Sequence, residues 1–302
     1  MRALLINTAF LGDVIFCAPL VENLVRAGYV VDAVTRPGYG ALLPLNGEAI
    51  TYDKRGQDRG IKALLRLGRT LRGRYELVLG AHPSVRSGLL AALIKAPRSF
   101  GWGPLGYRVR VPRGARFVED AVALGVAAGV PAGDSRPQIA AVPARLAPGT
   151  IALVPGSRVA TKRWPHWAAL APALAAQGHP LVWLGGAEEA PLAVGPGERA
   201  FGRSLQETAS ILKGCSIAVG GDSGLLHLAR AVGTPVVMLF GPTPAERLPL
   251  DPGRLDLAID LPCRPCSPHG PPRCPRGHHR CLVDLAPDRV RSGIQAGLQS
   301  SE

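Results

Sequence analysis

Aromatic residues make up only 5% of this 302-residue chain. Single-stranded nucleic acid is gripped by stacking its bases on aromatic side chains, so that class of partner is disfavoured. No apolar run is long enough to cross a bilayer. The opening stretch, MRALLINTAFLGDVIFCAPLV, starts as a secretory signal would, with one arginine before an apolar run. Gly12 and Asp13 interrupt that run, and no small-x-small cleavage site follows. It reads as a buried first strand ending at a loop, in a cytoplasmic protein. Lysine is scarce too, with 5 against 30 arginines. Heavy use of alanine, glycine and proline fits a GC-rich genome and says little about function.

Acidic residues are also few, and the formal charge is +13. Residues 1–150 hold 20 lysines and arginines against 10 acids, and residues 151–302 hold 15 against 12. Much of the excess lies between Lys54 and Arg74. In GIKALLRLGRTLRG, Ile61, Leu64, Leu65 and Leu71 follow helical spacing. Arg59, Lys62, Arg66, Arg69 and Arg72 fall on another side, as in a basic amphipathic helix. Such a helix is either a solvated face or a contact for an anionic surface, lipid headgroups or a phosphorylated acceptor.

What is abundant is hydrophobic residue, 47% of the chain, enough for a sizeable core and, at this length, for two domains. Short apolar strands alternate with helical segments. ALLIN (3–7) precedes a helix over about Val14 to Arg26, and VVDAVT (30–35) and ELVLGAH (76–82) are further strands. The Pro-rich stretch 137–150 reads as an exposed linker. The pattern then restarts with strands TIALVPG (150–156), PLVWLGG (180–186), SIAVGG (216–221) and PVVMLFG (235–241), each beside a helix. The expected fold is α/β: two Rossmann-like, doubly wound domains over residues 1–145 and 150–302. Ligands in such folds sit beyond the carboxyl ends of the strands. Loops 8–13, 155–162, 185–189 and 220–224 are therefore the expected chemical loops.

Residues 219–228, VGGDSGLLHL, resemble a serine hydrolase nucleophile at first sight. A nucleophile elbow needs Gly-x-Ser-x-Gly, and Leu225 stands where its last glycine belongs. Asp222 and His227 are chain neighbours of Ser223, whereas triads draw their members from separate loops. A phosphate cradle fits better. The strand ends at Gly220-Gly221, Asp222 or Ser223 can cap the next helix, and the free amides near Gly224 would face an anion at the positive end of the helix dipole. An ordinary capped helix start is the plain alternative. Lys162, in VPGSRVATKRWPHW, is a lysine kept where arginine is the rule, which suits a point charge for phosphate; a surface loop lysine is the alternative. Asp13 is either a first-turn carboxylate or a general base.

Together these stretches carry a likeness. LGDV near the amino terminus, PGS-(x)4-KRWP, GGDSGLLHLARAVGTPVVMLFGPT and CRPC…CPRGHHRCLVDLAPDRV resemble the glycosyltransferase family that includes the lipopolysaccharide heptosyltransferases. The resemblance implies the GT-B fold of two facing Rossmann-like domains, with acceptor on the first and nucleotide sugar on the second. It implies Asp13 as catalytic base, Lys162 on the donor diphosphate, and Ser157, Asp222, Ser223, Gly224 and His227 lining the donor site. Glu188 takes the place of a nucleotide-contacting acid, with Glu189 as its rival. The donor expected is ADP-heptose, and the acceptor an anionic lipopolysaccharide-core glycolipid met peripherally at the inner membrane. A non-catalytic nucleotide-sugar binder and a nucleotide-sugar epimerase are the alternative readings. The sequence holds no Asp-x-Asp pair of the kind metal-dependent transferases use, so no catalytic metal or other cofactor is expected.

Cys263, Cys266, Cys274 and Cys281, with His278 and His279 between them, have ligand density suited to a structural zinc. Disulfides and reduced structural cysteines are the other readings. Cys17 and Cys215 read as core residues.

Overall fold

A computed structural model describes residues 1–114, 116–248 and 251–299. The chain divides into two compact units, Met1–Ala140 and Ala141–Glu302.

In the first unit β1 (Arg2–Ile6) leads through α1 (Leu11–Ile15) and α2 (Ala18–Arg26) to β2 (Val30–Thr35) and β3 (Ala49–Thr51). Then come α3 (Ile61–Leu71), β4 (Leu77–Gly80), α4 (Val85–Ile94), β5 (Arg98–Gly101), β6 (Val109–Arg110) and α5 (Phe117–Ala127). The strands form a six-stranded parallel sheet in the order β3-β2-β1-β4-β5-β6. The chain winds outward from β1 on one side and resumes at β4 on the other, so the switch point lies between β1 and β4.

Successive residues of a strand point to opposite faces, and both faces of β1 are covered. Ala3 and Leu5 join one core with residues of α2 and α5, while Leu4 and Ile6 join the other with residues of α3 and α4. A strand buried on both sides needs an unbroken apolar run, which is why ALLI reads so plainly as one. VVDAVT carries a carboxylate into that interior. Asp32 is fully buried and accepts from the Tyr75 hydroxyl at 2.7 Å, the Glu48 amide at 2.8 Å and Arg2 at 2.6 Å. Burial alone would raise its pKa, but these donors outweigh it and the pKa is lowered.

Two expectations need correction. The helix expected over 14–26 is two helices, because Pro19 near the start of α2 has no N–H to continue the ladder. The amphipathic helix forms as α3, but Ile61 is 57% exposed and the buried side is Ala63, Leu64, Gly68 and Leu71. Gly68 is there because α4 is close: a β-carbon on it would lie 2.6 Å from that of Leu93.

The second unit runs β7 (Ile151–Val154), α6 (Trp167–Ala176), β8 (Leu181–Gly185), β9 (Glu198–Phe201), α7 (Leu205–Gly214), β10 (Ile217–Gly221) and α8 (Gly224–Ala231). It ends with β11 (Val236–Phe240), β12 (Arg254–Ala258), α9 (Arg280–Val283) and α10 (Pro287–Gln299). Its sheet is again parallel and six-stranded, in the order β12-β11-β10-β7-β8-β9. Here the switch point lies between β7 and β10. The stretch before β7 is irregular but tied down: the Ala144 amide donates to the Ser210 carbonyl at 2.9 Å, and the Ser210 hydroxyl to that of Val142 at 2.6 Å.

Candidate functional site

In the second unit the chemistry gathers at the switch point. β7 ends at Val154 and its loop turns through Ser157, whose carbonyl accepts from Arg163 Nε at 2.8 Å. Lys162 closes a short helical turn over 160–162. Its backbone carbonyl lies against Gly221 at the end of β10, where a β-carbon would come within 2.3 Å. Only glycine admits that approach. The Lys162 ammonium is 3.1 Å from Asp222 Oδ2, and His227 Nε2 is 3.2 Å from Asp222 Oδ1. All three side chains are mostly enclosed, at 15%, 16% and 11% exposure. Burial works to raise the Asp222 pKa, but the His227 hydrogen bond and the charge of Lys162 win, holding it far below the usual carboxylate range.

Ser223 stands at the N-cap of α8, yet neither it nor Asp222 caps the helix through its side chain. Asp222 is spent on Lys162 and His227. The Ser223 hydroxyl is buried and meets no hydrogen-bond partner among the described residues. A buried polar atom in that state is costly unless something else fills its need. With Gly224 it opens the amino end of α8, where free amides and the helix dipole favour an anion. A cation, an unpartnered hydroxyl and a helix start thus converge.

Loop 185–189 reaches the same place. A β-carbon on Gly156 would come 2.1 Å from the Glu189 carboxyl carbon, so that side chain lies over the Pro155-Gly156 turn. Glu189 also accepts from the Gly186 amide at 3.0 Å. The two rival acids therefore differ: Glu189 is engaged in the fold, and Glu188 is exposed.

Asp13 lies in the first unit, on the first turn of α1. Its Oδ2 accepts from the Phe10 amide at 3.3 Å, and Arg113 stands 3.8 Å from Oδ1. Asn7, just past β1, donates to the Asp13 carbonyl at 3.0 Å and fixes that turn. Around it the structure shows a cluster that the sequence did not single out. The Lys54 ammonium donates to Thr8 Oγ1 at 3.3 Å, and Thr8 is 3.2 Å from His82 Nδ1 at the end of β4. Burial, then the charges of Lys54 and Arg113, push the His82 pKa down to about 4, so its ring is neutral near pH 7. The Lys54 pKa is likewise lowered, by burial and then by Arg36, Arg55 and Arg86. Arginines whose charge lowers the pKa of a neighbouring lysine in this way make a site that favours an anion. The signal available was His82 at the end of ELVLGAH, a polar residue where a strand meets the switch point.

The cysteine loop is gathered, but not as a ligand set. Cys263 Sγ is 4.0 Å from His278 Nε2, while the Cys266 thiol donates to the Cys263 carbonyl at 3.1 Å. Among the described residues no group of three His, Cys, Asp or Glu side chains is placed to hold a metal ion, although the charges of Cys263 and Cys274 reach both Cys266 and Cys281. All six cysteines are free thiols. Cys17 and Cys215 are buried, and burial pushes each thiol up to about 12. Burial also raises Cys281.

The model of glycosyltransferase family 9 (heptosyltransferase) matches residues 64–268. The chain is 30% identical to lipopolysaccharide heptosyltransferase 1 of Pseudomonas aeruginosa, covering 100% of this chain and 99% of that one. In structure it is similar to a family 9 glycosyltransferase of Veillonella parvula, with a TM-score of 0.84 and 20% identity over 99% and 97% of the two chains. It is also similar to the E. coli heptosyltransferase WaaC solved with ADP-2-deoxy-2-fluoro heptose, with a TM-score of 0.75 and 22% identity over 98% and 99%.

Proposed function

The chain belongs to glycosyltransferase family 9, the heptosyltransferases, and from that premise we propose that it transfers heptose from ADP-heptose to a lipopolysaccharide-core or related anionic glycolipid. The observation that carries the reading is the grouping at the start of α8: the Lys162 ammonium beside Asp222, the buried Ser223 hydroxyl that meets no partner among the described residues, and the amides of the helix start.

The reaction is an inverting displacement. The acceptor hydroxyl attacks the anomeric carbon, and Asp13 takes its proton as the new C–O bond forms. The bond from the anomeric carbon to the diphosphate oxygen breaks, and ADP leaves with the electron pair. Lys162, Ser223 and the amides from Gly224 onward bear the charge that grows on the diphosphate. Asp222 and His227 hold Lys162 in place, Ser157 shapes the loop beside it, and Glu188 is the acid left for the nucleoside. This is a GT-B division of labour, with donor on the second unit and acceptor on the first.

The cations around Lys54, namely Arg36, Arg55 and Arg86, with neutral His82 and Thr8 among them, suit phosphates or carboxylates of the acceptor. Among the described residues no helix is long and apolar enough to cross a membrane. The exposed basic side of α3 (Lys62, Arg66 and Arg69) fits peripheral contact with anionic lipid.

Replacing Asp13 with Asn is the test. Heptosyl transfer falls by roughly 10²- to 10⁴-fold while ADP affinity stays within about twofold. Intact transfer by that variant would remove Asp13 as the base.

A further inference from the structure

The segment between β12 and α9 carries the cysteines, and two of its hydrogen bonds, with one close approach, meet the short turn that bears Lys162. The Thr161 hydroxyl donates to the Pro271 carbonyl at 2.6 Å. His279 Nε2 lies 2.7 Å from the Thr161 carbonyl. A carbonyl only accepts, so that ring nitrogen carries the proton. Gly270, at φ +80°, lies along the lysine stem: a β-carbon there would come 3.1 Å from Lys162 Cγ and 3.2 Å from Cδ. On the opposite side the Lys162 carbonyl presses on Gly221. The turn bearing Lys162 is therefore clamped between β10 and this segment.

His279 itself holds a left-handed backbone, φ 49° and ψ 24°. A non-glycine residue keeps that conformation where its surroundings over-determine it. Here the amides of residues 276–279 turn toward the Cys274 sulfur, and the Gly277 amide donates to the Cys274 carbonyl at 3.0 Å. The cysteine turn thus presents one imidazole to one carbonyl, next to the cation of the candidate donor site.

We propose that His279 is a positioning residue for the donor diphosphate. It fixes the Thr161 carbonyl, and with it the turn that aims the Lys162 ammonium at the amino end of α8. A lysine head on a four-carbon stem has many rotamers, so its aim depends on how firmly its backbone is held. This rests on the reading of Lys162 as the diphosphate cation.

The test is a double-mutant cycle on the full chain, read by calorimetric binding of ADP and of AMP. Lys162→Ala weakens ADP about tenfold or more and AMP far less, which tests the site reading by itself. His279→Ala weakens ADP about fivefold, leaves AMP within about twofold, and adds nothing in the Lys162→Ala background. His279→Gln, whose amide nitrogen reaches to where Nε2 stands, restores ADP binding to within about twofold. Equal losses for ADP and AMP, additive effects with Lys162→Ala, or failure of the glutamine variant to recover would make His279 a general structural support and overturn the proposal. If Lys162→Ala leaves the ADP-to-AMP ratio untouched, the diphosphate reading falls first. If that ratio drops and His279→Ala is silent, the positioning role alone falls.

Discussion

Asp222→Asn offers the sharpest look at the candidate donor site, because one carboxylate serves two partners there. Its oxygens lie 3.1 Å from Lys162 Nζ and 3.2 Å from His227 Nε2. At an effective dielectric near 20 the Lys162 contact alone amounts to roughly 5 kcal/mol of Coulomb attraction. Desolvation of both groups offsets much of that, and truncating one partner of a buried pair costs about 3 kcal/mol. Asparagine keeps the shape and one accepting oxygen, so we expect a loss of about 2 kcal/mol. For a unit of this size that lowers the thermal midpoint by about 6 °C at pH 7. The pH dependence gives a second reading. The Asp222 pKa is depressed in the folded chain, so its stabilisation is complete above the unfolded carboxylate value, near 4. It fades by about 1.4 kcal/mol per pH unit below that, toward the folded value. The gap between parent and variant should hold steady from about pH 5 upward and close as pH falls below about 4. Thermal and urea unfolding across that range measure both. Equal midpoints at pH 7, or a gap that persists into acid, would refute the electrostatic account.

In the first unit, Asp32→Asn leaves the Tyr75 hydroxyl and the Glu48 amide sharing one accepting oxygen, and should destabilise by about 2 kcal/mol in urea unfolding at pH 7. Because the Asp32 pKa is lowered on folding, that deficit should shrink as pH drops below about 4. Replacing Lys54 and Arg36 together with Ala should raise the acceptor KM about tenfold or more and leave ADP affinity unchanged, as steady-state kinetics and calorimetry would show. A shift in ADP affinity instead would place those cations with the donor.

How far the fold was legible depended on where each strand sits in its sheet. β1, β2, β4, β7, β8, β10 and β11 are inner strands that appear as apolar runs, whereas β5, inner as well, carries the polar sequence RSFG and is the exception. The outermost strands carry polar sequences instead: AIT at β3, VR at β6, ERAF at β9 and RLDLA at β12. No apolar run marks them, and only the packed sheet reveals them. The loops of the candidate site in the second unit were singled out because Gly-Gly, Ser and Lys stand at strand ends. Their wiring could not: Asp222 looks like a cap until Lys162, 60 residues earlier, is seen beside it. The Lys54–Thr8–His82 cluster joins residues 46 and 74 apart in the chain, and no local pattern announces it. The spacing of Cys263, Cys266, Cys274 and Cys281 left zinc, disulfide and reduced thiols all open. Spacing says which residues can meet, but not that the Cys266 thiol donates to the Cys263 carbonyl or that His279 reaches the Thr161 carbonyl.

The central claim is heptosyl transfer from an ADP-linked donor, and a donor panel tests it most directly. The chain is incubated with ADP-heptose and with UDP- and GDP-sugars, each with and without a lipopolysaccharide-core acceptor, and released nucleotide and products are identified. The account predicts ADP release from ADP-heptose only when acceptor is present, with heptose joined to the acceptor in inverted anomeric configuration. Absence of nucleoside diphosphate release with every donor in the presence of acceptor, or conversion of a free nucleotide sugar without acceptor, would contradict it.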